Sequence, residues 1–180
     1  MNKKILAAVL ALVMCLSCVS ALAGPSKTTN NVVSTAPSGN IAEVVVTPPT
    51  AATQQTLAEI ESAVAAGTPV AQCFGAETAA AIQATAGDKT DSLKLNELVP
   101  VTSTGKITGA TSVTIRTAAS YTKDDTIVVL AGVIINGVKV WKPLTFVVVN
   151  GNLVVTFPAD IAPLLADGEV ELAILSDKAA

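Results

Sequence analysis

IVVLAGVIINGVKVWKPLTFVVVNGNLVVTF, residues 127–157, is the stretch that decides the fold. Ile127 to Leu130, continued by Val133 to Ile135, is apolar at successive positions, which predicts a central strand covered on both faces. Asn136-Gly137 follows, a dipeptide that tolerates positive φ at both positions, and Val138 to Trp141 then returns. The pattern repeats: Leu144 to Val149 runs into Asn150-Gly151, and Leu153 to Phe157 comes back. Two tight hairpins in succession predict antiparallel pairing.

On either side the spacing stays that of strands. Val113 and Ile115 alternate with Ser112, Thr114 and Arg116, as in a strand with one wet face. Val170, Leu172 and Ile174 alternate with Glu169, Glu171 and Ala173, reached through a short helical or turn segment around Ile161 to Leu165. Residues 98–178 are therefore expected to form an antiparallel, immunoglobulin-like β-sandwich of six or so short strands, and the chain is expected to be mainly β. Before it, residues 53–97 read as a short helical region. Leu57, Ile60 and Val64 share a helical face, Thr56 with Glu59 makes a capping-box pair, and Gly67 and Pro69 stop the helix. A second helix is expected over Ala76 to Ala86, closed by Gly87; its many alanines bury little area, so both helices must lean on the β body.

Residues 24–52 are rich in Ser, Thr, Asn and Pro and read as a flexible tether, interrupted by the β-prone Ile41 to Val46. Residues 1–23 have the grammar of an export signal: Lys3 and Lys4, an apolar run from Ile5 to about Leu16, then small residues. Ala21 and Ala23 stand in the A-x-A relation that a signal peptidase requires, so cleavage is expected before Gly24. An uncleaved anchor is the weaker reading, because Cys15, Ser17, Cys18 and Ser20 interrupt the apolar run that a span of roughly 20 residues needs. Lipidation at Cys18 is also weaker, since Cys15 stands three places upstream, where such signals carry Leu or a similar residue. The mature chain is thus expected to be secreted or held at the cell surface, with the periplasm as an alternative and no stable membrane insertion.

The stretch from Tyr121 to Ser176, with its apolar run to Leu130, single Trp141, Val154 to Pro158 and closing Leu172 to Ser176, resembles a β-sandwich-like module of small secreted proteins of Gram-positive anaerobic bacteria. The resemblance covers under a third of the chain. It implies a β fold and export, and no activity.

Charge and cysteine content narrow the function. Loss of Lys3 and Lys4 leaves nine basic residues against fourteen acidic ones, a net charge of −5. The cations are scattered and only Arg116 offers a bidentate fork, so no nucleic-acid partner is expected. Cys73 alone survives processing; Val70 and Phe74 beside it predict burial as a small apolar side chain. Histidine is absent, which removes Ser-His-Asp hydrolysis, Cys-His proteolysis, His-ligated zinc and imidazole general bases.

Other chemistries leave weak traces. Ser120 to Lys123 spells Ser-x-x-Lys, but it lies between strands rather than at a helix start and lacks its companion strings. Asp124 with Asp125, Asp88 with Asp91, and Asp167 with Glu169 are the carboxylate pairs that a glycoside hydrolase would need, yet each sits in a turn where Asp caps backbone donors. None has calcium-loop spacing. No metal, cofactor or catalytic residue is expected. Of the aromatics Phe74, Tyr121, Trp141, Phe146 and Phe157, Trp141 is expected in the core, and Tyr121 is the candidate contact residue, with a corner hydrogen bond as its alternative. The chain is expected to be a non-catalytic module that binds an extracellular or envelope protein or polymer. Self-association by strand addition of residues 41–46 is the second reading, and a carboxylate hydrolase the distant third.

Overall fold

The computed structural model describes residues 42–168 and 170–178. The export signal with Ala21, Ala23 and Gly24, the cysteine at position 18 and the tether up to residue 41 lie outside the described residues. The chain is mainly β, as its spacing predicts. Seven strands form one antiparallel sheet: β1 (Val44–Val46), β2 (Lys94–Ser103), β3 (Thr111–Ile115), β4 (Ile127–Ile135), β5 (Val138–Val149), β6 (Asn152–Phe157) and β7 (Val170–Ser176). They lie in the order β1-β2-β7-β4-β5-β6-β3.

Both Asn-Gly turns form where the sequence places them. Asn136 and Gly137 have φ of 53° and 77°, and Asn150 and Gly151 have 51° and 80°, the left-handed backbone that matches the twist of a two-residue hairpin. Between them the two expected short strands are one long β5, although Pro143 falls inside it. The register explains the tolerance: Val138 to Leu144 pairs with β4, and Thr145 to Val149 pairs with β6. Pro143, which has no N–H to donate, stands beside that changeover.

β5 thereby turns one arm of the sheet over the other. The inner face carries Val44, Val99, Val101, Val113, Ile115, Val129, Leu144, Leu153, Val155, Phe157, Leu172 and Ile174 in one cluster, nearly all of it sealed from solvent. Among the described residues no α-helix lies on that face; the sheet curls until the face covers itself. Ile161, Ala162 and Leu165, from a 3-10 turn at Ala162–Asp167, and Ile107, from the β2–β3 connection, fill one end of this interior. Ala119 and Tyr121 fill the other.

The outer face of β2, β7, β4 and the first half of β5 is covered by α1 (Ala51–Ala65) and α2 (Ala76–Ala86), with 3-10 turns at Val70–Phe74 and Gly87–Ser92. Ile60, Phe74, Ile82 and Ala86 meet Leu95, Leu98, Val128, Leu130, Trp141 and Leu175 there. Every residue of β7 is therefore buried, Glu171 included. α2 has the expected bounds, with Gly87 at φ 57° as its stop. α1 begins before the expected capping box: Thr50 is the N-cap and accepts from the Thr53 amide at 3.1 Å, whereas Thr56 donates its hydroxyl to Ala52 O at 3.0 Å. Residues 44–46, within the span read as tether, pair with β2, Val44 opposite Ser103 and Val46 opposite Val101.

Candidate functional site

The first turns of α1 and the β4–β5 hairpin enclose the densest set of polar side chains on the helical side. Thr53 stands one turn inside α1 and is fully buried; its hydroxyl lies 2.9 Å from that of Thr50 and donates to Glu171 Oε1 at 3.0 Å. Strand alternation places Glu171 on the outer face of β7, between Leu172 and Val170, which point inward. Lys139, on β5, donates to Glu171 Oε2 and to Thr56 Oγ1, both at 2.7 Å. Its ammonium also lies 5.9 Å from the Trp141 ring centre, within cation–π range.

Trp141 is held on every side. Its ring lies over Gly132, directly opposite in register, where a Cβ would fall 2.8 Å from the indole. Phe74 meets it edge-on at 5.0 Å, and the Thr78 hydroxyl donates to its carbonyl at 2.8 Å. The expectation of a core role for Trp141 therefore agrees with its 9% exposure.

Around Lys139 the surface is concave. A cleft of about 190 Å³ lies between Thr50, Thr53, Pro100, Ile134, Lys139 and Glu171. A broader depression of about 540 Å³ adjoins it, lined by Gln55, Thr56, Glu59, Ile134, Gly137 and Lys139. Ile134, in register with Lys139 on the same face, borders both and is 37% exposed, whereas Ile135 and Val138, 38% and 62% exposed, pair with each other on the opposite face of the hairpin. The groups that could do chemistry here hold one another. Both carboxylate oxygens of Glu171 accept, the Lys139 ammonium donates to a carboxylate and a hydroxyl, and the Thr56 hydroxyl donates to Ala52 O. A separate apolar groove of about 370 Å³ runs between α1 and the start of β2, floored by Ile60, Val64, Val70, Leu93 and Leu95.

Tyr121, the candidate contact residue, is 1% exposed and points into the far end of the interior. Its hydroxyl accepts from Asn96 Nδ2 at 3.0 Å, and the same amide nitrogen lies 2.8 Å from Ser176 Oγ and 3.0 Å from Lys178 O. This is the corner hydrogen bond rather than a surface platform. Burial pushes the phenol above its ordinary pKa, against the lowering effect of the Asn96 bond. Asn96 reaches inward because β2 is irregular between Leu95 and Glu97, and Glu97, also buried, accepts from the Ala118 amide at 2.8 Å. No sequence pattern marks that bulge.

Of the carboxylates in the candidate pairs, Glu169 lies outside the described residues. Asp125 accepts from the Thr122 amide at 2.7 Å, and that bond holds its carboxyl below the ordinary range. Asp177 is lowered first by Lys89 at 2.9 Å and also caps the Thr126 amide at 3.1 Å. Asp88 and Asp91 lie in the 3-10 turn at Gly87–Ser92, and Asp167 ends the one before Gly168. Ser120, far from any helix, offers its carbonyl to Lys178 Nζ at 2.6 Å. Cys73 is half-buried, with its thiol 3.8 Å from Pro69 O and raised in pKa by burial. Among the described residues no group of three or more His, Cys, Asp or Glu could hold a metal ion, and no helix is long and apolar enough to cross a membrane.

Fold and site together define a β-module made of one curled antiparallel sheet with a two-helix cover on one side. No family model, curated protein or solved structure matches the chain.

Proposed function

We propose that this chain is a non-catalytic, exported module, secreted or displayed at the cell surface, that binds an extracellular or envelope protein or polymer. The observation that carries the reading is the junction of Lys139, Thr53, Thr56 and Glu171: its reactive groups are already paired, and the exposed Ile134 borders the concave surface beside it. Paired buried charge fixes shape, and exposed apolar surface beside a concave wall is what a partner covers. The two arms of the sheet, β1-β2-β7-β4 and β5-β6-β3, are the layers that a sandwich of immunoglobulin-like kind would have.

The test is a binding screen of the purified mature chain against envelope polysaccharides and extracellular matrix polymers, with an I134S variant alongside. Retention by a polymer that the variant loses, while its melting temperature stays within a few degrees, supports the reading. Multiple turnovers of any polymer by material free of contaminants, abolished by Lys139→Met, overturn it.

A second reading, self-assembly by exchange of residues 41–46, has one observation in its favour. β1 is a three-residue strand on β2, with Glu43 and Thr47 bonded on either side of it, yet Val44 is 2% exposed and belongs to the main core. A segment that is short, deeply seated and joined to α1 through Pro48-Pro49 is one that a neighbouring copy could supply.

A further inference from the structure

Among the described residues β3 is an edge strand with a single neighbour, β6, and it lacks the usual protection against pairing. The other edge, β1, is three residues long and is followed closely by Pro48-Pro49. Thr111–Ile115 has five residues and carries no proline, no lysine and no bulge against its neighbour, so its outer amides and carbonyls form a template for another strand.

The face beside that edge is unlike the rest of the molecule. In register, Ser112, Thr156 and Thr145 form one outward row, and Thr114, Val154 and Val147 the next. Neither row contains a charge. Val147 and Val149 are 59% and 45% exposed, and no helix of the described residues covers this arm of the sheet. In a chain with fourteen acidic residues, an uncharged face is where two copies meet without like-charge repulsion.

We propose that β3 pairs with β3 of a second copy, antiparallel about a two-fold axis through Val113, joining the two sheets into one. That register uses all five residues of the strand. It sets Ser112 opposite the partner's Thr114 on the outer face, a favourable hydroxyl pair, and carries Arg116 past the end of the opposing strand, clear of its symmetry mate. The inference stands apart from the polymer-binding reading and uses a different surface.

Sedimentation velocity of the full mature chain over a range of concentrations tests it, and the expected result is a species of twice the chain mass. S112E/T114E places glutamates opposite glutamates on an exposed face and should weaken association by about a hundredfold. S112K/T114E places lysine opposite glutamate twice over under the same two-fold and should restore it. A chain that stays monomeric throughout overturns the proposal, as does a dimer indifferent to S112E/T114E or one that S112K/T114E fails to restore. Hydrogen exchange gives the remaining outcome: β3 edge amides already protected in the monomer mean that the edge is covered from within the chain, which also overturns it.

Discussion

At the scale of single residues, the junction of Lys139 and Glu171 concentrates the largest expected effects. The carboxylate is 9% exposed and the ammonium 27%, so removing the cation alone leaves a nearly buried charge whose remaining partner is the Thr53 hydroxyl. Lys139→Met is expected to lower stability by about 3 kcal/mol, the cost of breaking such a pair from one side. Replacing both partners with apolar groups, K139M/E171L, should recover most of the loss, because the unpaired charge is gone. Chemical denaturation of the two variants checks this; equal losses in both would mean that the residues matter by shape rather than charge. Gly132 makes the complementary case. A methyl there meets the Trp141 ring at 2.8 Å with Phe74 behind it, so Gly132→Ala is expected to cost about 1 to 3 kcal/mol through overpacking, visible as a lower denaturation midpoint.

At the scale of elements, the end of β7 is tied down by charge. Lys89 reaches Asp177 from the 3-10 turn after α2, Asp177 caps the Thr126 amide before β4, and Lys178 lies 3.6 Å from Asp125. Hydrogen bonds hold both carboxyls below their ordinary pKa of 3.8. A lowered carboxyl binds its proton less tightly folded than unfolded. Its contribution is complete above the unfolded pKa and disappears as pH falls through the folded one. Stability is therefore expected to decline below about pH 4, and Asp177→Asn should flatten that decline while lowering stability at neutral pH. Tyr121 gives the opposite limb. Its raised pKa means that above the ordinary phenol value of 10.0 the unfolded chain ionises first, so stability should fall again in alkali, and Tyr121→Phe should remove that fall. Melting temperatures across the pH range, read for the parent and both variants, check the two limbs separately.

At the scale of the whole molecule, the sheet's construction decides what could be read from the chain. Asn136-Gly137, Asn150-Gly151 and the alternation about Val113 and Val155 are local signals, and the structure follows them residue by residue. Glu171 alternates with apolar positions along β7, yet a helix distant in sequence covers it; Tyr121 meets Asn96, which stands at an irregularity of β2 that no pattern announces. The Lys139 junction was invisible for the same reason, since Thr53, Lys139 and Glu171 meet only when α1 lies across β7 and β5. β1 shows the limit most clearly, because Ile41 to Val46 has strand composition while its place depends on where the curled sheet leaves an edge. That place has a testable energetic consequence. Val44 points into the core shared with Val99 and Val101, but β1 holds β2 through three residues, so it should open at a lower free energy than the centre of the sheet. Val44→Asp puts a carboxylate where no charge can be solvated, and β1 should leave the edge as a unit. Hydrogen exchange is expected to quicken by tenfold or more in the β2 amides that face Val44 to Val46, while amides between β4 and β7 keep their protection. Uniform loss across all strands would show instead that β1 is integral to one cooperative sheet, and that the exchange of residues 41–46 between copies cannot proceed without unfolding the whole.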